Sequence, residues 1–532
     1  VQKLGSLLNT AFLKADCRIV TVFPWRPAFS LLQNHDPPDA MKLPETKTKI
    51  VATIGPASME PSILEQMIRA GLNVARLNFS HGDFAQHGEI IARVRAASRT
   101  VGRRVAIMAD LPGPKMRLGP IDPGPIELHA GEPFVLTSED IVGDRQRVSM
   151  SFKPLPRVVK TGDRLFLNDG LVQLLVDRVE GNDVHCSVAV GGQLSSRKGL
   201  NLPRISLGIG AFTERDRECL AFAIGQGVDA VSQSFVETAA DIEAVRSAAA
   251  ELGGSPFLIA KIERHEALEN IEAILHASDG IMIARGDLGV EIPIETMAVT
   301  QKQLMAKAIA HAKPVITATQ MLESMTASRL PTRAEATDVA NAILDGTDCV
   351  MLSGESAVGR FPVEAVAMLA KIAAATEAYR DANRRSERAP APNSEVPRSL
   401  RKALLVDQAI ELMPCDAVIV PVESGLTART VARSRIPVWV VAAGLDPAVL
   451  HGLSFCAGIH PHDLTVEPAC WRDFARRWLE DFEIEPRHAL LVAGPSSMNP
   501  DSSQRLEFFD FTDDPLEQLP HRSRPDQHCV RL

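Results

Sequence analysis

The residues best equipped for chemistry lie between Leu258 and Asp287, in the run LIAKIERHEALENIEAILHASDGIMIARGD. Its first stretch is apolar apart from Lys261 and Glu263, and a spacing of two sets both side chains on one face of a strand. A lysine and a glutamate side by side in a buried strand are costly unless they pair or meet a ligand. The next apolar run, GIMIA, leads straight into Arg285, Gly286 and Asp287, which places a carboxylate just past a strand's C-terminal end. Two acids and a lysine at the tops of neighbouring parallel strands suit a divalent cation bridged to an anionic substrate. The plainer alternative is a Lys–Glu pair that only holds the strand, with an Asp that caps a helix.

A second constellation sits earlier, in NVARLNFSHG. Arg76, Asn78 and Ser80 alternate at i, i+2 and i+4, which puts a guanidinium, an amide and a hydroxyl on one strand face. The apolar residues between and before them (Val74, Ala75, Leu77, Phe79) argue that this strand is buried and not a solvated edge, so the polar groups need partners. RVAIMADL ends at Asp110, and PVITATQ sets Thr317 and Thr319 on a common face.

The elements that must position these groups are legible as a repeated strand, turn and helix. Ser58 is the expected cap of the helix PSILEQMIRAG, which stops at Gly71. Eight strands are expected: KIVATI, VARLNF, RVAIMAD, DAVSQSF, FLIAKIE, GIMIARG, PVITATQ and CVMLSGE. Eight such units with polar residues at the strand C-termini predict an α/β fold, a (β/α)8 TIM barrel, over a doubly wound sheet. The rhythm breaks after Pro112-Gly113-Pro114, and nothing between Gly119 and Asn201 keeps a helical period. That stretch predicts a small inserted β-barrel lid, whose exit SSRKGLNLP returns Lys198 to the strand tops.

The expected organisation is then a barrel over 45–113 and 206–385, a lid over 114–205, a charged, Pro-rich linker over 386–397 and a C-terminal α/β domain over 398–512. In the last of these LRKALLVDQAIELM reads as an amphipathic helix, and DAVIVPV, IPVWVVAAG and HALLVAG as buried parallel strands. Residues 513–532 have the composition of a disordered tail. Residues 1–44 stand apart as an N-terminal extension. Met41 is the expected natural start, with residues 1–40 arising from an upstream alternative start codon.

Composition narrows the function classes. The chain has 532 residues, 45% hydrophobic and 23% charged, with no apolar run long enough to span a membrane. A net charge of −9 argues against nucleic-acid or membrane-surface partners. Eight scattered cysteines without CxxC spacing predict reduced thiols and a cytoplasmic setting.

Together, TKIVATIGPAS, VARLNFSHG, KGLNLP, AKIE, IARGDLGVEIP, TATQMLESM and RAEATDVANAILDGTDCVMLSGESAVGRFPVEAV resemble the blocks of the pyruvate kinase family, in order, from Lys47 to about Phe511. The resemblance implies a barrel, a β lid and a C-terminal α/β domain, and a glycolytic phosphotransferase making pyruvate and ATP from phosphoenolpyruvate and ADP. It implies Glu263 and Asp287 as ligands of Mg²⁺ (or Mn²⁺), a second cation arriving with the nucleotide, and Lys261 facing the phosphoryl group and the enolate oxygen. Arg76 clamps the phosphoryl group, the turn Ala284, Arg285, Gly286 and Asp287 holds the substrate carboxylate, and Thr319 lies near the enol face that is protonated. Arg117, Asn78, Ser80, His81 and Lys198, with Thr53, correspond to nucleotide-side contacts.

Two departures matter. The family's K⁺ site uses Asn78, Ser80, Asp110 and the next residue, here Leu111, and an acid where this chain has Lys115; an ammonium there implies K⁺-independent activity. The effector-loop positions read Ser424, Gly425, Leu426 and Thr427, and the missing arginine argues against regulation by fructose bisphosphate. The family also implies a homotetramer. The competing classes are a Mg²⁺-dependent pyruvate-enolate lyase (an aldolase) and a non-catalytic regulatory paralogue. An aldolase needs neither lid nor nucleotide-facing lysines, and intact Arg76, Lys261, Glu263, Asp287 and Thr319 argue against the paralogue.

Overall fold

Short Val- and Ile-rich runs whose side chains alternate between two apolar surroundings form strands buried on both faces, and eight of them close into a parallel barrel. In the computed structural model these are β1 (Lys49–Thr53), β2 (Leu72–Asn78), β3 (Ala106–Leu111), β4 (Ala230–Gln233), β5 (Phe257–Ile262), β6 (Gly280–Ala284), β7 (Val315–Ala318) and β8 (Cys349–Leu352). They pair in that order, and β8 returns to β1 with Lys49 opposite Cys349. The structure describes residues 42–205, 207–384, 398–494 and 505–512. The proposed extension up to Met41, the linker 386–397 and the tail 513–532 lie outside the described residues.

Period two divides each strand. Val51, Val74, Met108, Ala230, Ile259, Met282, Ile316 and Met351 pack together inside the barrel. Their neighbours Ile50, Ala75, Ile107, Val231, Leu258, Ile281 and Val350 pack outward beneath the helices. Because Ile259 faces inward, Lys261 and Glu263 continue the same inner face upward, and Arg76 does so above Val74. The first helix, Pro61–Ala70, differs from expectation at its start: Glu60 is its cap and Pro61 opens it, while Ser58 Oγ accepts from Gly55 N at 3.1 Å. A proline at the first helical position needs no capped N–H, which leaves the serine free for the preceding turn.

The insert after β3 folds on its own core of Phe134, Leu136, Leu165, Leu174 and Val184. Its main sheet has six strands, in the order Leu200–Asn201, Arg164–Leu167, Val172–Glu180, Asp183–Val190, Pro133–Thr137 and Arg147–Ser149. A two-stranded ribbon pairs Ile126–Leu128 with Gly192–Leu194. Bridges such as Arg117 to Gly199 draw the inbound and outbound chains together at its base.

The C-terminal sheet has five strands: β9 (Ala417–Val422), β10 (Trp439–Gly444), β11 (Ile459–Asp463), β12 (His488–Ala493) and β13 (Arg505–Asp510), ordered β11-β10-β9-β12-β13, with β13 antiparallel. Phe455, fully buried, closes the bottom of the barrel and stacks on Phe257 with ring centroids 5.5 Å apart. Polar ties add to this. Lys49 Nζ, over the Trp439 ring, donates to Ile459 O at 2.8 Å, and Arg435 Nη1 donates to Asp348 Oδ1 at 2.9 Å.

Glu377, on the last barrel helix, accepts from Lys47 N at 2.8 Å and Thr48 N at 2.6 Å, fixing the approach to β1. Truncation strands one buried and one half-buried amide donor, so Glu377→Ala is expected to lower unfolding free energy by about 2–4 kcal/mol in urea titrations. Glu377→Gln, which keeps an acceptor, should lose clearly less.

Candidate active site

The inner-face polar side chains meet in a bowl at the C-terminal ends of the strands. Its hub is Asp110, at the end of β3 and buried to 2% exposure. Arg76 Nε donates to Asp110 Oδ2 at 3.1 Å and Arg76 Nη1 to Thr53 Oγ1 at 2.8 Å, which locks the guanidinium plane. Lys261 Nζ lies 3.4 Å from Asp110 Oδ1 and 2.8 Å from Glu263 Oε1, and donates to Ser234 Oγ at 2.6 Å. Burial alone would lift the Asp110 carboxyl, but Lys261 and Arg76 prevail and hold it well below the usual range. Burial likewise works against the Lys261 ammonium, and Asp110 and Glu263 reverse it, raising the pKa above that of an ordinary lysine. The bowl therefore keeps two fixed positive charges at neutral pH.

Glu263 is buried beside Lys261 and its Oε2 accepts from Phe235 N at 2.8 Å. Asp287 lies in the first turn of the helix Arg285–Glu291 and is exposed to solvent. The protein walls around it, and then the charge of Glu263, push its carboxyl up to about 6. Two carboxylates that repel across a cleft are an oxygen donor set that a hard divalent cation would relieve. Among the described residues no group of three or more His, Cys, Asp and Glu side chains forms a metal cage. Mg²⁺ commonly takes one or two carboxylates and completes its shell with substrate oxygens and water, so the pair fits it.

Thr319 closes this side with φ +67°, a left-handed conformation that a β-branched residue adopts only under constraint. Its Oγ1 donates to Ala318 O at 2.6 Å and accepts from Gly286 N at 2.8 Å. A Cβ on Gly286 would lie 3.5 Å from Thr319 Oγ1, an ordinary contact, so packing within the protein does not itself require glycine there. The Arg285 guanidinium is turned away from the bowl, donating to Thr319 O at 2.8 Å and Asp338 Oδ2 at 2.6 Å. Of the turn Ala284 to Asp287, then, the main chain and the Asp287 carboxylate are left available on the bowl side, while the Arg285 side chain is engaged elsewhere.

On the opposite rim Asn78 Oδ1 accepts from Ser80 N at 3.1 Å, shaping the turn to His81. Burial, then Lys115, Arg117 and Arg76, depress the His81 pKa, so these cations surround it. Arg117 Nη1 donates to Arg197 O at 3.2 Å, next to Lys198, whose own carbonyl accepts from Leu118 N at 2.9 Å. Leu111 packs its side chain into the outer barrel core, and only its carbonyl faces Ser234, at 2.7 Å. Lys115 is tied through its main chain, its N–H donating to Gly113 O at 2.8 Å and its carbonyl accepting from Ser151 Oγ at 3.3 Å, and among the described residues its ammonium forms no hydrogen bond or ion pair. Burial and the charge of Lys261, with Arg117 adding to them and Asp110 opposing, lower its pKa to about 8.

Three contributors escaped sequence reasoning. Ser232 Oγ donates to Asp110 Oδ1 at 2.7 Å, Ser234 links Lys261 to Leu111 O, and Phe235, at φ +59°, offers its amide to Glu263. The alternation of serines in DAVSQSFV, as in VARLNF, was the available signal.

A closed parallel barrel with a β insert after its third strand, and with paired cations and paired carboxylates at its strand tops, defines an enzyme that handles a multiply charged anion with a divalent cation. A family model described as the barrel domain of pyruvate kinase matches residues 45–366. Pyruvate kinase from Thermococcus litoralis is 47% identical over 424 residues, 79% of this chain and 89% of the relative, and pyruvate kinase 2 from Synechocystis sp. is 45% identical over 421 residues, 78% and 70% of the two chains. The crystal structure of a pyruvate kinase from Cryptosporidium parvum superposes with a TM-score of 0.78 at 33% identity, covering 88% of this chain and 96% of that one. The chain belongs to the pyruvate kinase family.

Proposed function

We infer that the chain transfers the phosphoryl group of phosphoenolpyruvate to ADP, giving pyruvate and ATP, with Mg²⁺ or Mn²⁺ and without a need for K⁺. Family membership supports the reaction. The observation that carries the site reading is the charged Lys261 ammonium held between Asp110 at 3.4 Å and Glu263 at 2.8 Å, beside the locked Arg76 guanidinium.

Phosphoenolpyruvate and ADP are both anions, so transfer needs charge neutralisation and alignment before any bond changes. Glu263 and Asp287 would hold a divalent cation, which would disperse the negative charge of the substrate oxygens. Main-chain groups of Ala284 to Asp287 seat the substrate carboxylate. Arg76, fixed by Asp110 and Thr53, clamps the phosphoryl oxygens, while Asn78, Ser80, His81, Arg117 and Lys198 take the nucleotide phosphates. As the enol P–O bond breaks and an ADP terminal oxygen bonds to phosphorus, Lys261 meets the negative charge left on the enolate oxygen. The enolate carbon then takes a proton and becomes a methyl group. Thr319 already spends its own proton on Ala318 O, so its hydroxyl orients a water as donor and is not itself the acid.

The reaction is tested by a coupled assay with phosphoenolpyruvate, ADP and Mg²⁺: equal amounts of ATP and pyruvate are expected, and none with excess chelator. Cleavage of a 4-hydroxy-2-oxoacid without nucleotide would favour the aldolase class instead.

Lys115 is the reason for K⁺ independence in this reading. Its ammonium is present below a pKa of about 8 and lost above it. In K⁺-free buffer kcat/KM should therefore fall as pH rises through about 8, since that ratio reports the free enzyme. Lys115→Glu should make the rate K⁺-dependent, by about tenfold or more. A native rate that collapses without K⁺ at pH 7 would remove this assignment.

A homotetramer in the cytoplasm follows the family pattern, and no described helix is long and apolar enough to cross a membrane. Light scattering on the purified protein tests the tetramer.

A further inference from the structure

The two chain crossings between barrel and lid are held by different chemistry. On the inbound side Gly113 adopts φ +63° and donates its N–H to Asp216 Oδ1 at 2.9 Å. A Cβ at Gly113 would come within 2.8 Å of the Phe235 ring, so this turn is built for glycine. On the outbound side the grip is a side chain that no sequence motif singled out, Arg264, the residue after Glu263.

Arg264 is 1% exposed, one of the largest fully buried side chains in the protein. Its Nη1 donates to Leu202 O at 3.2 Å and to Glu291 Oε1 at 3.0 Å, and its Nη2 donates to Ile205 O at 3.0 Å. Glu237 and Glu266 stand 3.3 and 3.5 Å away. A buried cation needs partners for its donors, and here two of the pairings are main-chain carbonyls of the lid's outbound segment, just past the strand Leu200–Asn201. Glu291 lies on the same short helix as Asp287. One planar fork thus touches the lid exit and the helix of Asp287, while its own backbone adjoins Glu263.

We propose that Arg264 is a positioning residue for the transfer: it pins the lid exit at Leu202 and Ile205 to the segments that carry Glu263 and Asp287, and so sets where Lys198 stands over the bowl. Lys198 precedes Leu202 by only four residues, joined through the strand Leu200–Asn201 that pairs with Arg164–Leu167. Lysine cannot replace the fork, because an ammonium at one point cannot serve both carbonyls and Glu291 together. Burial, opposed by Arg264 and reinforced by the charges of Glu266 and Glu237, lifts the Glu291 carboxyl to about 7. The anchor does not depend on that titration. This proposal rests on the reading in which Lys198 meets the nucleotide.

The test is steady-state kinetics of Arg264→Lys, which keeps the buried charge, alongside the unaltered enzyme. The KM for ADP should rise about tenfold, as for loss of one or two charged hydrogen bonds, while the KM for phosphoenolpyruvate stays within about twofold. An unmoved ADP KM, or both KM values rising in parallel, would overturn the anchor. If the unaltered enzyme forms no ATP, it is the phosphoryl-transfer reading that falls. Hydrogen exchange on the unaltered enzyme serves where the variant folds poorly. Peptides covering 200–205 should exchange as slowly as β5, with or without ADP, and exchange as fast as the exposed turn at Gly181 would overturn the anchor.

Discussion

Lys261→Met should abolish most ATP formation, lowering kcat/KM on the order of 10³-fold or more, equivalent to about 4 kcal/mol of transition-state stabilisation. The size follows from position. The ammonium sits on the inner face of β5, buried, charged and held by Glu263, Asp110 and Ser234, so its field acts in a site with little water. Methionine fills the same stem without charge. The fold should survive, because Arg76 still neutralises Asp110 and a bound cation would neutralise Glu263. Near-native circular dichroism and an unchanged melting profile in Mg²⁺, beside a stopped-flow rate reduced this far, is the expected pair of results. Replacement by arginine should rescue little, because a pocket whose oxygens lie 2.6 and 2.8 Å from one nitrogen is shaped for a point charge and not a planar fork.

The second large effect is expected at the carboxylates. Asp287→Ala should raise half-saturating Mg²⁺ at least about tenfold and cut kcat by about 10²-fold, even at saturating metal. Removing Asp287 leaves Glu263, which Lys261 and the Phe235 amide already engage, as the one remaining acid of the assigned pair. Titrating Mg²⁺ at fixed substrate concentrations separates the change in affinity from the change in rate. An Asp287→Ala enzyme with native Mg²⁺ affinity would move the cation elsewhere.

How much of this was visible beforehand depends on which physical rule carried each residue. Lys261, Glu263 and Arg76 were legible because a strand's period of two forces alternate side chains onto one face, and the structure lines all three into the bowl. Asp110 was read only as part of a monovalent site. Its contacts with Arg76 and Lys261 join β3 to β2 and β5, and pairing across strands is set by barrel closure, which no local pattern records. Ser232 and Ser234 carried the right alternation but are small and common, so their spacing alone did not stand out. Arg285 was grouped with its neighbours, yet it points to Asp338 and Thr319 O, since helix geometry turns successive side chains apart by about 100°. Arg264 looked like one charge among several in a polar run. Its importance arises from lid carbonyls some sixty positions earlier in the chain.

The same contrast holds for the architecture. Eight barrel strands announced themselves through Val, Ile and Met runs ending in polar residues. In the C-terminal sheet β11 reads IHPHD, with neither alternation nor an apolar run, and owes its strand state to pairing with β10. β13, RLEFFD, is an antiparallel edge strand on β12, inside the expected C-terminal domain but not among its expected strands. Tertiary pairing overrides weak local preference in both cases.

The most direct measurement of the central claim, that Glu263 and Asp287 hold the cation against the substrate phosphoryl group, uses Mn²⁺ as a paramagnetic probe. Phosphorus-31 relaxation of bound phosphoenolpyruvate should be strongly enhanced by Mn²⁺ in the unaltered enzyme, and that enhancement should be lost in Asp287→Ala at the same occupancy of substrate. Equal enhancement in both proteins would contradict the account, because the metal would then reach the phosphoryl group without the carboxylates assigned to hold it.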